Sequence, residues 1–161
     1  MEFYSNPNST TVTAEERTTA VTDEYGAKYT ADGLKLISVP SSLDSYEIRE
    51  GTKVIGDGAF YWCESLKSIT IPDSVTSIGD DAFYRCESIE SITIPNSITS
   101  IGDDAFCGCE SLEAITIPNS VIDIGEDALE ERILVLSDAN GKIYRFPKPK
   151  DLIIDVDDLP F

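Results

Sequence analysis

The chain has 161 residues, with 30 acidic against 12 basic side chains, no histidine and a net charge of −18. That charge repels nucleic acid and anionic membranes, which argues against sequence-independent binding to either. The missing imidazole removes the usual general base for serine and cysteine nucleophiles and the commonest metal ligand. No run approaches the roughly 20 apolar residues of a membrane helix, so membrane insertion is not expected. An apolar share of 41% is still enough for a core.

Residues 1–23 are polar and rich in Ser and Thr, with no apolar stretch of the kind an export signal carries. Residues 24–42 contain EYGAKYTADGLKLISVP, two alternating apolar stretches around Asp32-Gly33, a good hairpin turn. A period of 23 then governs residues 43–132. Phe60, Phe83, Phe106 and Leu129 keep that spacing, as do Ile55, Ile78, Ile101 and Ile124, and Pro72, Pro95 and Pro118. Three units read almost alike, SLKSITIPDSVTSIGDDAFYRC, SIESITIPNSITSIGDDAFCGC and SLEAITIPNSVIDIGEDALEER; a fourth starts divergently at Leu43. Residues 133–147, ILVLSDANGKIYRFP, repeat the hairpin pattern around Asn140-Gly141. The tail, residues 148–161, alternates acidic and apolar residues and is a candidate for self-association.

Each unit has a physical reading. Leu66, Ile69 and Ile71 follow an L-x-x-I-x-I strand pattern, in which Ile69 and Ile71 face the core while Ser68 and Thr70 face out. Pro72 lacks a donor and ends the strand. Val75 and Ile78 cross the core again. Gly79 turns the chain, and Asp80 or Asp81 is suited to cap a short helical turn leading to Phe83. One unit cannot bury its own apolar face, so units must stack at about 4.8 Å per strand.

In these residues the chain resembles the BspA-like leucine-rich repeats of bacterial surface proteins, whose units run close to L-x-x-I-x-I-P-x-S-V-x-x-I-G-x-x-A-F-x-x-C. The resemblance covers residues 43–132; Leu129 and Arg132 depart from it, as a water-facing last unit would. It implies a mainly β solenoid, a leucine-rich-repeat stack with short helical turns on the convex side and β-hairpins capping both ends. It also implies an adhesion or recognition role at the cell surface or outside the cell, an export signal having been removed. The polar N-terminus keeps a cytoplasmic location open.

Stacking turns each repeat position into a column with members about 5 Å apart. Cys63, Cys86 and Cys109 read as a buried thiol ladder, because side chains in a column run parallel and oppose disulfide geometry. Cys107 stands where Tyr61 and Tyr84 stand in other units. Three acidic columns follow: Asp57, Asp80, Asp103 and Glu126; beside it Asp81, Asp104 and Asp127; and Glu64, Glu87 and Glu110. Adjacent carboxylates repel by roughly 1 kcal/mol in water, offset in part at a helix start. They read as capping residues on a solvated ridge or as a weak site for cations or a basic partner. A dedicated Ca²⁺ cage would need six to eight converging oxygens.

The concave strand face carries Glu47, Ser68, Thr70, Ser91, Thr93, Ala114 and Thr116, small and nearly uncharged, about 20 Å long by strand spacing. It is the preferred partner site, set against the plain alternative that Thr and Ser are ordinary strand residues. Tyr61, Trp62, Tyr84 and Arg85 form an alternative aromatic edge, of residue types enriched in interface hot spots. The carboxylates recur periodically with no asymmetric cleft to separate an acid from a base, and no phosphate loop, metal motif or nucleophile elbow occurs. The expectation is a non-catalytic protein-binding module with no cofactor. Two alternatives stand beside it: an intracellular acidic inhibitor or decoy that occupies a basic surface, and an assembly unit that displays the tail.

Overall fold

The computed structural model describes residues 8–112, 114–129, 133–137 and 143–147. The tail at 148–161 and Arg132 lie outside the described residues. The first element among the described residues is helix α1 (Ala14–Thr18), started by a capping box in which Thr13 and Glu16 exchange backbone-to-side-chain bonds. Strands β1 (Val21–Thr22), β2 (Lys28–Tyr29) and β3 (Lys35–Ser38) follow, β2 pairing antiparallel with both neighbours. The hairpin expected at Asp32-Gly33 is β2–β3; Gly33 takes φ +75° in its turn.

From there each turn of the coil contributes two short strands. The first series is β4 (Ser45–Glu47), β6 (Ser68–Thr70), β8 (Ser91–Thr93) and β10 (Ala114–Thr116). The second is β5 (Val54–Ile55), β7 (Ser77–Ile78), β9 (Ser100–Ile101) and β11 (Asp123–Ile124). Strands β12 (Ile133–Ser137) and β13 (Ile143–Pro147) then form an antiparallel pair. The second series extends β3 as one parallel sheet, β3-β5-β7-β9-β11, with every rung offset by the repeat: Val54 opposite Ser77, Ser77 opposite Ser100, Ser100 opposite Asp123.

A third wall is built from turns. Where the sequence suggested a short helical turn, consecutive i→i+3 bonds appear instead: Ala59 N–H to Gly56 O, Tyr61 N–H to Gly58 O and Cys63 N–H to Phe60 O. A helix cannot propagate there, because the chain enters the left-handed region at Asp81, Asp104 and Asp127 and again at Trp62 and Arg85. Backbone bonds tie successive turns along this wall, as from Phe60 N–H to Ala82 O and Phe83 N–H to Ala105 O.

The three walls enclose one core. Phe60, Phe83 and Phe106 stack along its axis with centroids 4.8 and 5.1 Å apart. Ile55, Ile78, Ile98 and Leu66 are fully buried beside them. Burying each such side chain is worth about 1.5–3 kcal/mol, and it is gained only when the next turn covers it. Cys63, Cys86 and Cys109 are free and buried. The Cys86 and Cys109 thiols donate to the carbonyls of Phe60 and Phe83, one turn back, at 3.1 Å. Burial pushes the Cys63 thiol up to about 11, which keeps it protonated and unreactive.

Candidate functional site

The face formed by the first strand series carries the residues singled out from the sequence. Glu47, Ser68, Thr70, Ser91 and Thr93 are exposed there and Thr116 is half-buried, while Tyr46, Ile92 and Ile115 between them turn inward. This follows from strand alternation. Register sets Glu47 opposite Thr70 and Thr93 opposite Thr116.

The face is not one sheet. Strand β4 pairs with β6 and β8 pairs with β10, but no ladder joins β6 to β8. Ile48 N–H donates to Thr70 O and Ser68 N–H to Asp44 O across the first gap; the corresponding bonds from Ile71 and Ser91 are not formed. Among the described residues the Ser88 hydroxyl is what bridges this level, to Glu64 O. A crevice of about 480 Å³ opens at the seam, bounded by Ile69, Thr70, Asp73, Thr93, Pro95 and Asn96 among others.

At the N-terminal end of the same face lies a second hollow of about 300 Å³, lined by Tyr25, Ser45, Tyr46, Glu47, Ser68 and Thr70. Tyr25 was not anticipated, since it belongs to the segment before β2 and comes to the face only through tertiary folding. Asp23 brings it there. One oxygen of its carboxylate accepts the Tyr25 and Ala27 amides, each at 2.9 Å. The other accepts the Tyr46 hydroxyl at 2.6 Å. Tyr46 also meets the Tyr29 hydroxyl at 2.6 Å, and burial together with Asp23 drives its ionisation far above the ordinary tyrosine range. The only sequence clue was a Tyr two residues after an Asp at a loop start.

The aromatic edge also assembles. Tyr61 stacks on Tyr84 at 5.0 Å, Trp62 meets Tyr84 edge-on at 6.3 Å, and the Arg85 guanidinium lies 4.9 Å over the Trp62 ring. Arg85 reaches Glu87 at 3.5 Å. Both Trp62 and Arg85 sit at positive φ, 59° and 55°, a conformation that costs about 1–2 kcal/mol for a residue with a Cβ.

The first acidic column is structural. Asp57 accepts the Asp80 amide and Asp80 the Asp103 amide, each at 2.9 Å, and Asp103 accepts the Glu126 amide at 2.8 Å. These carboxylates satisfy the next turn's backbone; they do not cap helices. In the second column Asp81, Asp104 and Asp127 occupy the left-handed position, which Asp tolerates. Partial burial and the charges of Asp104, Asp80, Asp57 and Asp103 raise the Asp81 carboxyl. In the third, Glu64 and Glu110 stay exposed. Among the described residues no group of three Cys, Asp or Glu side chains gathers as metal ligands would.

The sequence pattern of the BspA type leucine rich repeat region, six copies long, matches residues 37–146. The chain belongs to the BspA-type leucine-rich repeat family. That match is longer than the four units read from the 23-residue period and takes in β12 and most of β13. Several solved structures resemble this BspA-type protein, three of them as follows. The pneumococcal vaccine antigen PcpA is 27% identical with a TM-score of 0.65, over 70% of this chain and 28% of that one. A leucine-rich repeat protein from Bacteroides ovatus is 32% identical, TM-score 0.53, over 80% and 32%. A leucine rich cell surface protein from Faecalibacterium prausnitzii is 27% identical, TM-score 0.50, over 70% and 40%. The chain therefore spans well under half of each. No curated protein matches it. The repeat class points to a protein-interaction or recognition module, a class generally without catalysis.

Proposed function

We propose that this BspA-type protein is a non-catalytic recognition module that binds a protein partner through the Ser/Thr face. In this reading residues 43–132 are the binding stack, with residues 24–42 and 133–147 as its ends. The observation that carries it is the contrast between the faces. The Asp and Cys columns are bound up in bonds between turns, and the strand face keeps its outward hydroxyls exposed and has two hollows. An adhesion role at the cell surface fits this surface, and the F. prausnitzii structure bears the description of a cell surface protein.

The test is biolayer interferometry of the purified chain against a panel of extracellular-matrix proteins and bacterial cells. Thr93→Arg and Thr116→Arg together are expected to weaken any specific binding at least tenfold, since a long charged side chain then stands on a flat face. Tyr61→Ala with Trp62→Ala is expected to leave it unchanged. The reverse pattern would move the site to the aromatic edge. The charge of −18 favours a second reading, an acidic decoy for a basic surface. It requires binding that falls steeply between low and high salt and that survives Thr93→Arg with Thr116→Arg, whereas recognition by the Ser/Thr face is lost in that variant.

A further inference from the structure

We infer that the hollow at the N-terminal end of the Ser/Thr face takes a cationic side chain, lysine or arginine, presented by the partner protein. The inference rests on the face being the binding surface and adds the chemistry of its anchor point. The lining is one aromatic wall, one carboxylate and three hydroxyls, with no basic side chain among them. The Glu47 carboxylate is exposed and makes no bond or ion pair with any described side chain. Asp23 is already committed to Tyr46 and to two amides, and Asp44 accepts the Ser45 hydroxyl. Glu47 is thus the group left to meet a ligand.

The opposing wall is held in advance. Asp23 fixes the backbone at Tyr25, and the Tyr25 ring stands edge-on to Tyr46 with centroids 6.2 Å apart. Tyr25 remains 59% exposed, so ring surface is available to a guest. A cation between that ring and Glu47 gains from the ring's quadrupole and from the carboxylate together, and the Ser45, Ser68 and Thr70 hydroxyls can accept its remaining protons. The field of a chain carrying −18 draws cations and repels anions. A volume of about 300 Å³ lies at the bottom of the range for small-ligand sites, about 300–1,000 Å³, which suits one side chain with its water. A single carboxylate is too few for a calcium cage.

Thr70 lines both this hollow and the seam crevice, so the two are contiguous along the face. An extended partner segment with its cation beside Glu47 would lay its neighbouring residues toward Ile69 and Ile71.

The experiment is an NMR shift titration of the full chain, followed at the Tyr25 and Glu47 amides. The probes are blocked serine pentapeptides with arginine, lysine, citrulline or glutamate at the centre. Arginine and lysine are expected to shift both amides saturably, citrulline and glutamate not. Glu47→Gln and Tyr25→Ala are each expected to weaken the arginine peptide at least fivefold, with the melting temperature of the Gln variant confirming its fold. If citrulline titrates as well as arginine, or Glu47→Gln changes nothing, the inference is overturned, and the protein-binding test of Thr93 and Thr116 decides separately whether the face reading stands. If the peptides behave as expected but the Thr93→Arg, Thr116→Arg variant binds proteins like the parent, the face reading falls and the pocket remains.

Discussion

The two strand series are built from the same repeat and end up differently. Strands β3, β5, β7, β9 and β11 form an unbroken parallel sheet, whereas the first series parts between β6 and β8. The strings at the parting are identical, Ser-Ile-Thr in both. Local sequence therefore does not decide whether two stacked strands pair. The difference lies in what flanks them. The continuous wall is backed by a carboxylate rail that takes one amide per turn. At the seam, among the described residues, one side-chain bond, from Ser88, stands in for the ladder. One wall is thus continuous and the other parted without a change of period, and the parted wall is the one with hollows.

The largest way to break this contrast is to cut the rail. Asp80→Ala removes the acceptor of the Asp103 amide and is expected to cost about 0.5–1.5 kcal/mol. Asp80→Asn keeps an acceptor oxygen while removing a charge from a crowded column, and should stay within about 0.5 kcal/mol of the parent. Urea unfolding midpoints separate the two; equal losses would mean that the carboxylate's charge matters and its hydrogen bond does not.

Amide exchange compares the two sides directly. Ile71 and Ser91, at the seam, should exchange roughly tenfold or more faster than Ile48 and Ser68, their paired equivalents one turn earlier. Equal protection would close the seam in solution. The smallest effect concerns a flaw in the continuous side. Thr52 is fully buried with its hydroxyl unpartnered, and it stands in the column occupied by Val75, Ile98 and Val121. Thr52→Val should raise stability by about 1 kcal/mol, read as a higher melting temperature. A loss would show that the hydroxyl has a partner, such as a bound water.

Much of the fold was legible because periodicity is a geometric statement. A spacing of 23 that holds at Phe60, Phe83 and Phe106 forces those rings into one column, and the rings do stack. The free, buried thiols follow from the same logic. Two kinds of feature were not legible. Asp80 looks like a helix cap in one dimension, and its true partner is an amide 23 residues away. The hollow beside Glu47 depends on Tyr25, which no repeat predicts because it sits outside the repeats. Periodic reasoning sees the columns and is blind to what a non-repeating segment brings to their end.

The carboxylate rail also has a direction. Each carboxylate serves the turn after it, and the amide at its start, that of Asp57, is taken by Thr10 O from the leading segment at 2.8 Å. Duplicating or deleting one whole unit between Asp57 and Glu126 would leave every bond of the rail intact. Length is therefore cheap to change over evolutionary time, while the leading end, with Thr10, Asp23 and Tyr25, has to be invented only once and can travel with stacks of any height.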